Sequence, residues 1–252
     1  MENLSERDSF IKLLQPAFNR SIRIQNTEIS TGTTVYNPKI HKLLDYVYGD
    51  EMRKGGLVRQ IEHPYAVANL ILNAIITLRN TDKIIASTQN IGFHINELLN
   101  LIATALLHDV VEDYAADLGI KINNTSETFN LSTQIDMDYI KIIHAHLNPL
   151  LLLCNHRNGS RIPLDLYYGA MMHNELVCVT KLADRLHNTL SLIDTPEIVT
   201  EKMRLAKLHD FKLYYGRLKD AVTTPLLVGI ANEIYDQLET ATMKLSATPD
   251  NA

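Results

Sequence analysis

Apolar residues recur at helical spacing along most of this chain, and this periodicity constrains the fold more than any other feature of the sequence. After His63-Pro64, the segment AVANLILNAIITL places its apolar side chains three or four residues apart, on one face of a helix. No run of alternating apolar and polar residues is long enough to indicate a strand of a sheet. The sequence therefore predicts an all-α protein.

The helical segments can be located from their apolar stripes, their capping residues and the prolines and glycines that separate them. The segment from Ile95 to Asp113 is apolar on nearly all faces, which predicts a continuous buried helix. The stretches AADLGIKINNTSETFNLS and RNGSRIP are predicted as a loop and a turn. The other predicted helices span about 5–18, 38–52, 63–78, 133–156 with a break near Pro149, 164–192 as one or two helices, 196–222 and 225–245.

Composition bounds the class of protein. The chain has 252 residues, of which 46% are hydrophobic, and no repeat or linker divides it, so we expect a single domain over residues 1–252. The formal net charge of -5 argues against a protein that coats nucleic acid. The start MENLSERDSF is not a signal peptide and no apolar window is long enough to span a membrane, so we expect a cytoplasmic protein. Cys154 and Cys178 lie in apolar surroundings and are expected to be reduced core thiols.

Four ionisable residues follow an apolar run in the segment TALLHDVVEDY, namely His108, Asp109, Glu112 and Asp113. On a helix, residues four apart share a face, which aligns His108 with Glu112 and Asp109 with Asp113. Burying such carboxylates without a cation costs roughly several kcal/mol for each unpaired ion. The pattern therefore favours a site for a divalent metal ion, with the polar end of a buried helix as the structural alternative.

Two ligands do not hold a metal ion well, so the hypothesis requires partners from other segments. The segment EHPYAVANL offers His63, and VTKLADRLHNTL offers Asp184 with Asn188 one turn later. A mixed set of nitrogen and oxygen ligands favours Mn²⁺ or Mg²⁺ over a structural zinc ion. Taken singly, a histidine before proline is more often a helix-start residue. Asp184 taken singly would more often pair with Arg185 or Lys181, so only the co-occurrence favours a metal site.

Other histidines and one aromatic, basic stretch are interpreted as structural. His144 and His146 are two residues apart, so on a helix they point to different faces and do not readily share a metal ion. Cys154 and His156 form a poor zinc pair because no second pair of ligands lies nearby. The segment DFKLYYGRLKD is better explained as an amphipathic helix than as a surface for stacking RNA bases.

Three ordered blocks, RKGGLVRQIEHPYAVA, ALLHDVVED and VTKLADRLHN, resemble the HD-domain metal phosphohydrolases. Within that superfamily they are similar to the (p)ppGpp hydrolase domain of the RelA/SpoT homologues, of the stand-alone small alarmone hydrolase type. The resemblance covers roughly residues 39–222. It implies an all-α, HD-domain helical bundle of about eight to ten helices, with its core at about 38–222 and flanking N- and C-terminal extensions.

The resemblance also implies a role for each matching residue. It implies one Mn²⁺ ion per chain, rather than Mg²⁺ or Zn²⁺, held by His63, His108, Asp109 and Asp184. The implied catalytic residues are Glu112, Asp113 and Asn188, the last near the attacking water and the ribose phosphate. The implied substrate-binding residues are Arg53, Lys54, Lys181, Asn188, Ser191 and Arg204.

The chain departs from the family pattern at several points. The spacing from RKGG to the His63-Pro64 dipeptide is one residue longer than usual, and LVRQI replaces EPYI, which makes Arg59 a competitor of Arg53. Tyr114 stands where the family has Thr, and the VTK helix motif is missing before CNHRNGS.

The implied function is metal-dependent removal of the 3′-diphosphate of guanosine tetra- or pentaphosphate as pyrophosphate, leaving GDP or GTP. The metal would activate a water molecule, and Glu112 and Asp113 would orient or deprotonate it. The alternatives are an HD phosphohydrolase for another nucleotide, such as ppApp, a dNTP or NADPH, and a nucleotide-sensing or antitoxin-like partner. The intact ligand set and acidic pair favour an enzyme. We expect a small nucleotide as the binding partner, no nucleic acid, no membrane, and a monomer or weak homo-oligomer.

Overall fold

A computed structural model describes residues 38–53, 60–80, 91–114, 120–122, 127–129, 137–157 and 160–247. The predicted helix over 5–18 lies outside these ranges, as do Lys54 and Arg59. Within them the chain forms a bundle of α-helices, which confirms the all-α class.

The first half of the described chain contributes three longer helices and several short elements. They are α1 (Pro38–Tyr48), α2 (Glu62–Asn80), α3 (Ile91–Leu107), α4 (Val110–Tyr114), the strands β1 (Ile120–Ile122) and β2 (Glu127–Phe129), α5 (Met137–Ala145) and α6 (Leu147–Leu153).

The second half begins with a hairpin and ends with the longest helix. Its elements are β3 (His156–Arg157), β4 (Ser160–Arg161), α7 (Leu164–Met171), α8 (Glu175–Asp194), a 3₁₀ turn (Pro196–Ile198), α9 (Glu201–Asp210), a π-helical turn (Phe211–Tyr215), α10 (Gly216–Asp220) and α11 (Pro225–Ala247).

The predicted continuous helix from Ile95 to Asp113 is wrong at its C-terminal end. α3 ends at Leu107, and His108 and Asp109 form a turn that separates it from α4. The His108 ring explains this break, because its Nδ1 atom lies 2.8 Å from the carbonyl oxygen of Ala105. In a continuous α-helix that carbonyl accepts the N–H of Asp109. The imidazole therefore competes with the helix for its acceptor.

Two short antiparallel hairpins stand where the sequence predicts a loop and a turn. β1 pairs with β2, with Ile120 opposite Phe129, and β3 pairs with β4, with His156 opposite Arg161. Strands of two or three residues are too short to show an alternating pattern in the sequence. The hairpins leave the all-α class unchanged, but the β3–β4 hairpin fixes the backbone position of His156.

The break predicted near Pro149 lies a few residues earlier, at His146, where α5 gives way to α6. Pro149 itself falls in the first turn of α6, where its missing N–H would have had no partner within the helix. The region predicted as one or two helices over 164–192 forms two, α7 and α8.

α8 is the central helix of the described bundle and packs against α2, α3, α6 and α11. Asn174 caps its N-terminus, because the side-chain oxygen accepts the N–H of Val177 at 3.2 Å. Its middle turns are buried, and they carry two charged residues, Lys181 and Asp184, among apolar neighbours. Buried charges require partners, so the fold points to a functional site at this level of α8.

Cys154 and Cys178 are buried in the core and form no disulfide, which agrees with their interpretation from the sequence. Burial raises the pKa of the Cys178 thiol to about 12, which suppresses its reactivity. As for membranes, none of the helices in the described part of the chain combines the length and apolar character needed to cross a bilayer.

Candidate metal centre

Two histidine rings and two aspartate carboxylates from three separate parts of the chain meet beside the middle of α8. His63 is the second residue of α2, His108 and Asp109 form the turn after α3, and Asp184 lies in α8. We call these four residues the ligand quartet. His63, His108 and Asp184 are almost fully buried, at 3%, 1% and 4% exposure, whereas Asp109 is partly exposed.

The distances within the ligand quartet fit a single metal ion. The Nε2 atoms of His63 and His108 are 3.1 Å apart. Asp109 Oδ2 lies 3.4 and 3.1 Å from these two nitrogens, and Asp184 Oδ1 lies 3.3 and 3.9 Å from them. Ligand atoms bound at about 2.1 Å from one ion, in octahedral or tetrahedral geometry, are separated by about 3.0–3.4 Å. All of these separations except the widest fall within that range.

The two histidines of the ligand quartet are held by different partners. His108 Nδ1 faces the carbonyl of Ala105, which can only accept, so this nitrogen carries a proton and Nε2 is the ring nitrogen that faces the rest of the quartet. His63 Nδ1 instead lies 2.7 Å from Nδ1 of His187. Burial, together with the charges of His63 and Arg53, lowers the pKa of His187 to about 3. His187 is therefore a neutral ring that can accept the Nδ1–H of His63.

The two oxygens of Asp184 face different partners. Oδ1 faces the histidines and accepts a hydrogen bond from Asn188 Nδ2 at 2.5 Å, whereas Oδ2 pairs with Lys181 Nζ at 2.8 Å. Arg185 Nε lies 3.8 Å from Oδ2. Burial raises the pKa of Asp184, but Lys181 and Arg185 outweigh burial and hold this pKa well below its ordinary value. Asp184 is thus paired with basic residues of its own helix through Oδ2, and it still directs Oδ1 at the two histidines.

Glu112 and Asp113 lie on α4, directly after the turn that carries His108 and Asp109. The Glu112 side chain is partly exposed, and its Oε1 lies 3.2 Å from Nδ1 of His156. Asp113 as a whole is exposed, yet partial burial of its carboxyl group, with the charges of Asp109 and Glu112, raises its pKa to about 6. The acidic pair is therefore adjacent to the ligand quartet but in a different electrostatic environment.

Arg53 and Asn188 connect the ligand quartet to the segment after α1. The Arg53 Nη2 group donates to Asn188 Oδ1 at 3.1 Å, and the same Asn188 donates to Asp184. Arg53 Nη1 is buried and has no hydrogen-bond partner within the part of the chain that the structure describes. The predicted substrate residue Arg53 is therefore brought next to the quartet through Asn188.

The remaining predicted substrate residues differ in their surroundings. Lys181 is 5% exposed and engaged with Asp184, so its ammonium group lies at the base of the site. Ser191 Oγ donates to the backbone carbonyl of His187 at 2.9 Å. Arg204 is half-buried on α9, and Lys54 lies outside the described residues.

The sequence reasoning assigned no site role to four basic residues that surround the quartet. His187 stands three positions after Asp184 in KLADRLHN, so helical spacing could have revealed it, whereas Arg185 is next to Asp184 in the sequence and is not on the same helix face by spacing. Lys207, on α9, lies close enough to Arg185 that their charges interact, and burial with this repulsion lowers its pKa to about 8. His156 and Lys207 are distant in sequence, and no local pattern indicates them.

Two buried histidines, one buried aspartate and one partly exposed aspartate, brought together from three parts of a helical bundle, form a candidate site for a divalent metal ion. Ligand atoms of His63, His108 and Asp109 all lie within 4.8 Å of one another. The family model described as HD domain matches residues 60–189, which is more than half of the 252-residue chain. The chain belongs to the HD domain family and is an HD-domain metal-dependent phosphohydrolase. A comparison with curated proteins finds no match.

Proposed function

We propose that this protein removes the 3′-diphosphate of guanosine tetraphosphate or pentaphosphate as pyrophosphate and leaves GDP or GTP. The observation that carries the proposal is the cluster of four cations beside the quartet, namely Arg53, Lys181, Arg185 and Lys207. In a chain with a net charge of -5, such a local cluster, together with a divalent ion that would offset the carboxylates, suits a substrate with several phosphates. The choice of a 3′-diphosphate follows from the resemblance of LLHDVVED and KLADRLHN.

In the proposed reaction, a water oxygen forms a bond to the phosphorus atom attached to the ribose 3′ oxygen. The bond between that phosphorus and the ribose oxygen breaks, the ribose oxygen gains a proton, and pyrophosphate leaves. A divalent ion bound by the ligand quartet would lower the pKa of water and neutralise phosphate charge. Glu112 and Asp113 accept the proton that the water loses, because they lie directly after His108 and Asp109 and are not fully buried.

Arg53 and Asn188 hold the substrate against the ligand quartet in this proposal. The planar guanidinium of Arg53 keeps one buried donor free of described partners, which suits stacking on guanine or binding of a phosphate. Asn188 is positioned by its bonds to Arg53 and Asp184, which place its amide between the guanidinium and the quartet. The family resemblance implies that Lys181 and Ser191 line the nucleotide pocket, that Arg204 binds phosphate, and that Lys54 is a further substrate-binding residue.

We assign one Mn²⁺ ion per chain to the ligand quartet. Two imidazole nitrogens and two carboxylate oxygens suit Mn²⁺ better than Mg²⁺, which prefers oxygen ligands and water. Structural zinc sites, in contrast, are usually built from cysteines and histidines, and no cysteine is part of this cluster.

A second candidate is an HD phosphohydrolase for another nucleotide, such as ppApp, a dNTP or NADPH. The β3–β4 hairpin favours it, because this hairpin lies in the segment NHRNGSR, directly after the point where the family's VTK motif is missing. A different segment beside Glu112 changes the contacts to base and phosphates while the ligand quartet stays the same.

The test is to incubate the purified protein with Mn²⁺ and a panel of nucleotides, and to measure pyrophosphate and orthophosphate separately. We expect pyrophosphate from guanosine tetraphosphate and pentaphosphate, and no product from GDP, GTP or dNTPs. An Asp184→Ala protein, prepared in parallel, controls for contaminating phosphatases. Turnover of dNTPs or ppApp without turnover of guanosine tetraphosphate would overturn the proposed substrate in favour of the second candidate.

A further inference from the structure

His156 is the first residue of the β3–β4 hairpin, and it reaches the acidic pair from outside the HD motifs. Its Nδ1 atom lies 3.2 Å from Oε1 of Glu112, across 44 positions of sequence. The side chain of His156 is 54% exposed, whereas that of Glu112 is 19% exposed. The contact therefore lies at the mouth of the site, between the carboxylate and solvent.

The hairpin is anchored to the same buried frame that holds Asp184. A backbone hydrogen bond joins the residues that flank its two strands, because the N–H of Ile162 donates to the carbonyl of Asn155 at 2.8 Å. Just before the hairpin, the carbonyl of Leu153 accepts the hydroxyl of Tyr167 at 2.6 Å. The Tyr167 ring in turn lies under Lys181, whose Nζ is 5.6 Å from the ring centroid. The backbone that carries His156 is thus fixed relative to the metal centre.

Glu112, in contrast, is carried by a helix of five residues. A glutamate side chain has several rotatable bonds, and ordering it costs conformational entropy. A general base must lie within about 2.6–3.2 Å of the proton that it accepts, so a freely rotating carboxylate would be in place for only part of the time. One oxygen bound by a fixed donor removes this freedom and leaves the other oxygen available.

We propose that His156 is a positioning residue for the general base. Its Nδ1–H donates to Oε1 of Glu112 and holds the second carboxylate oxygen toward the water that attacks phosphorus. The proton must be on Nδ1, because an ionised carboxylate only accepts hydrogen bonds. This inference deepens the proposed function and rests on it for the role of Glu112 as a base.

Side-chain geometry gives a sharp test. The amide nitrogen of Asn superimposes on Nδ1 of a histidine, and that of Gln superimposes on Nε2. His156→Asn therefore keeps a donor near Oε1 of Glu112, whereas His156→Gln moves it and His156→Ala removes it. His173→Ala, which removes an exposed histidine between α7 and α8, is the matched control.

The measurement is kcat and KM for pyrophosphate release from guanosine tetraphosphate at saturating Mn²⁺. Because a positioned base contributes about 10²–10⁴-fold, we expect His156→Ala and His156→Gln to lower kcat by about 10- to 100-fold with KM little changed. His156→Asn should recover most of kcat, and His173→Ala should match the wild type. Equal losses in the Asn and Ala variants, or no loss in either, would overturn the role of His156.

A second arm separates this inference from the proposed substrate. If the wild type releases no pyrophosphate from guanosine tetraphosphate, the proposed function fails, and the same variants are then compared on bis(p-nitrophenyl) phosphate with Mn²⁺. Independently of turnover, nitrogen-15 NMR of the histidine rings should show a protonated His156 Nδ1 whose chemical shift moves in Glu112→Gln. A His156 signal that is unaffected by Glu112→Gln would exclude the contact in solution, and with it the positioning role.

Discussion

The two sides of the metal centre are built in opposite ways. On the α8 side, Asp184 is buried among Lys181, Arg185 and Asn188, and both of its oxygens have partners. On the α4 side, the acidic pair stands on a five-residue helix, partly open to solvent. The difference teaches that three of the four residues suited to retain an ion, His63, His108 and Asp184, are held in the core, while the acidic pair suited to exchange protons stays at the edge.

The same residue type has opposite pKa shifts on the two sides. Burial acts to raise the pKa of Asp184, but the cations of α8 outweigh it, so this carboxylate stays ionised. Asp113 has carboxylates as neighbours, and burial and their charges raise its pKa to about 6. Pairs of carboxylates whose environments separate their pKa values usually have different roles. We therefore expect mutations on the two sides to produce different defects.

The largest effect is expected on the α8 side, from Asp184→Ala. Removing one of four ligands should abolish turnover, by roughly 10³-fold or more, because a bound metal contributes several kcal/mol of transition-state stabilisation. Because an ion that joins three segments also stabilises the fold, the rise in Tm on adding Mn²⁺ should be lost as well. Activity assays and thermal unfolding with and without Mn²⁺ measure both quantities.

Asp236→Ala is the control for that variant, since it removes an exposed aspartate from α11. It should leave turnover and the response of Tm to Mn²⁺ unchanged. If Asp184→Ala retained both activity and metal response, the α8 side would have no role in retaining the ion.

The second effect concerns the α4 side. The double variant Glu112→Gln, Asp113→Asn keeps the size and most hydrogen bonds of the acidic pair but removes the base. We expect kcat to fall by about 10²–10⁴-fold, while the protein still binds one divalent ion and still retains guanosine tetraphosphate. Elemental analysis and equilibrium dialysis measure ion and nucleotide. Loss of the ion in this variant would show that the acidic pair is also needed to retain the ion, and the proposed difference between the two sides would then be wrong.

The third effect tests whether His187 belongs to the retaining side. His187→Phe keeps an aromatic ring but removes the Nδ1 atom that lies 2.7 Å from Nδ1 of His63. Outer-shell partners of a ligating histidine typically contribute 10- to 100-fold in metal affinity, so we expect a loss of about that size in the Kd for Mn²⁺. His173→Phe, at an exposed position, should leave the Kd unchanged. A fall in kcat with an unchanged Kd would instead assign His187 to the reacting side.

The smallest effect is a pH dependence of stability in the metal-free protein. Because the pKa of Asp113 rises from 3.8 to about 6 on folding, the native state binds more protons than the unfolded chain between these values. The free energy of unfolding contributed by Asp113 therefore falls as pH rises from about 4 to about 6.

Asp113→Asn removes this titration, so the variant should gain stability relative to the wild type above pH 6 and gain none near pH 3. Exposure of Asp113 limits the gain to about 1 kcal/mol, or about 2–4 °C in Tm. Thermal unfolding of metal-free samples at several pH values measures it. A difference that is the same at all pH values would show that Asp113 is not perturbed by its neighbours.

The sequence was most informative where chemistry and helical spacing coincide. It predicted that His63, His108, Asp109 and Asp184 would meet. In the structure the Nε2 atoms of the two histidines lie 3.1 Å apart, and one oxygen of each aspartate lies 3.1–3.9 Å from these nitrogens. Their co-occurrence was predictive because buried ionisable residues require each other wherever they are in the chain.

Two features of the site were not predicted. One depends on a local contact between a side chain and the backbone, and the other on a contact between residues far apart in the sequence. The helix break at His108 depends on a side chain that binds the carbonyl of Ala105, which propensity and periodicity do not register. The contact of His156 with Glu112 depends on a two-residue strand pairing and on the packing of Tyr167, neither of which leaves a pattern in the sequence. Both failures fall at the site, where local rules are most often overridden.

The ion pair between Lys181 and Asp184 has a consequence for how the protein matures. A buried metal site can make folding depend on its ion, as in small domains that stay unfolded until the metal binds. Here the chain brings a cation of its own, one turn away on the same helix, at 2.8 Å. We therefore expect synthesis and metal loading to be uncoupled: a newly made copy can fold while its divalent ion is scarce and bind the ion when the supply returns.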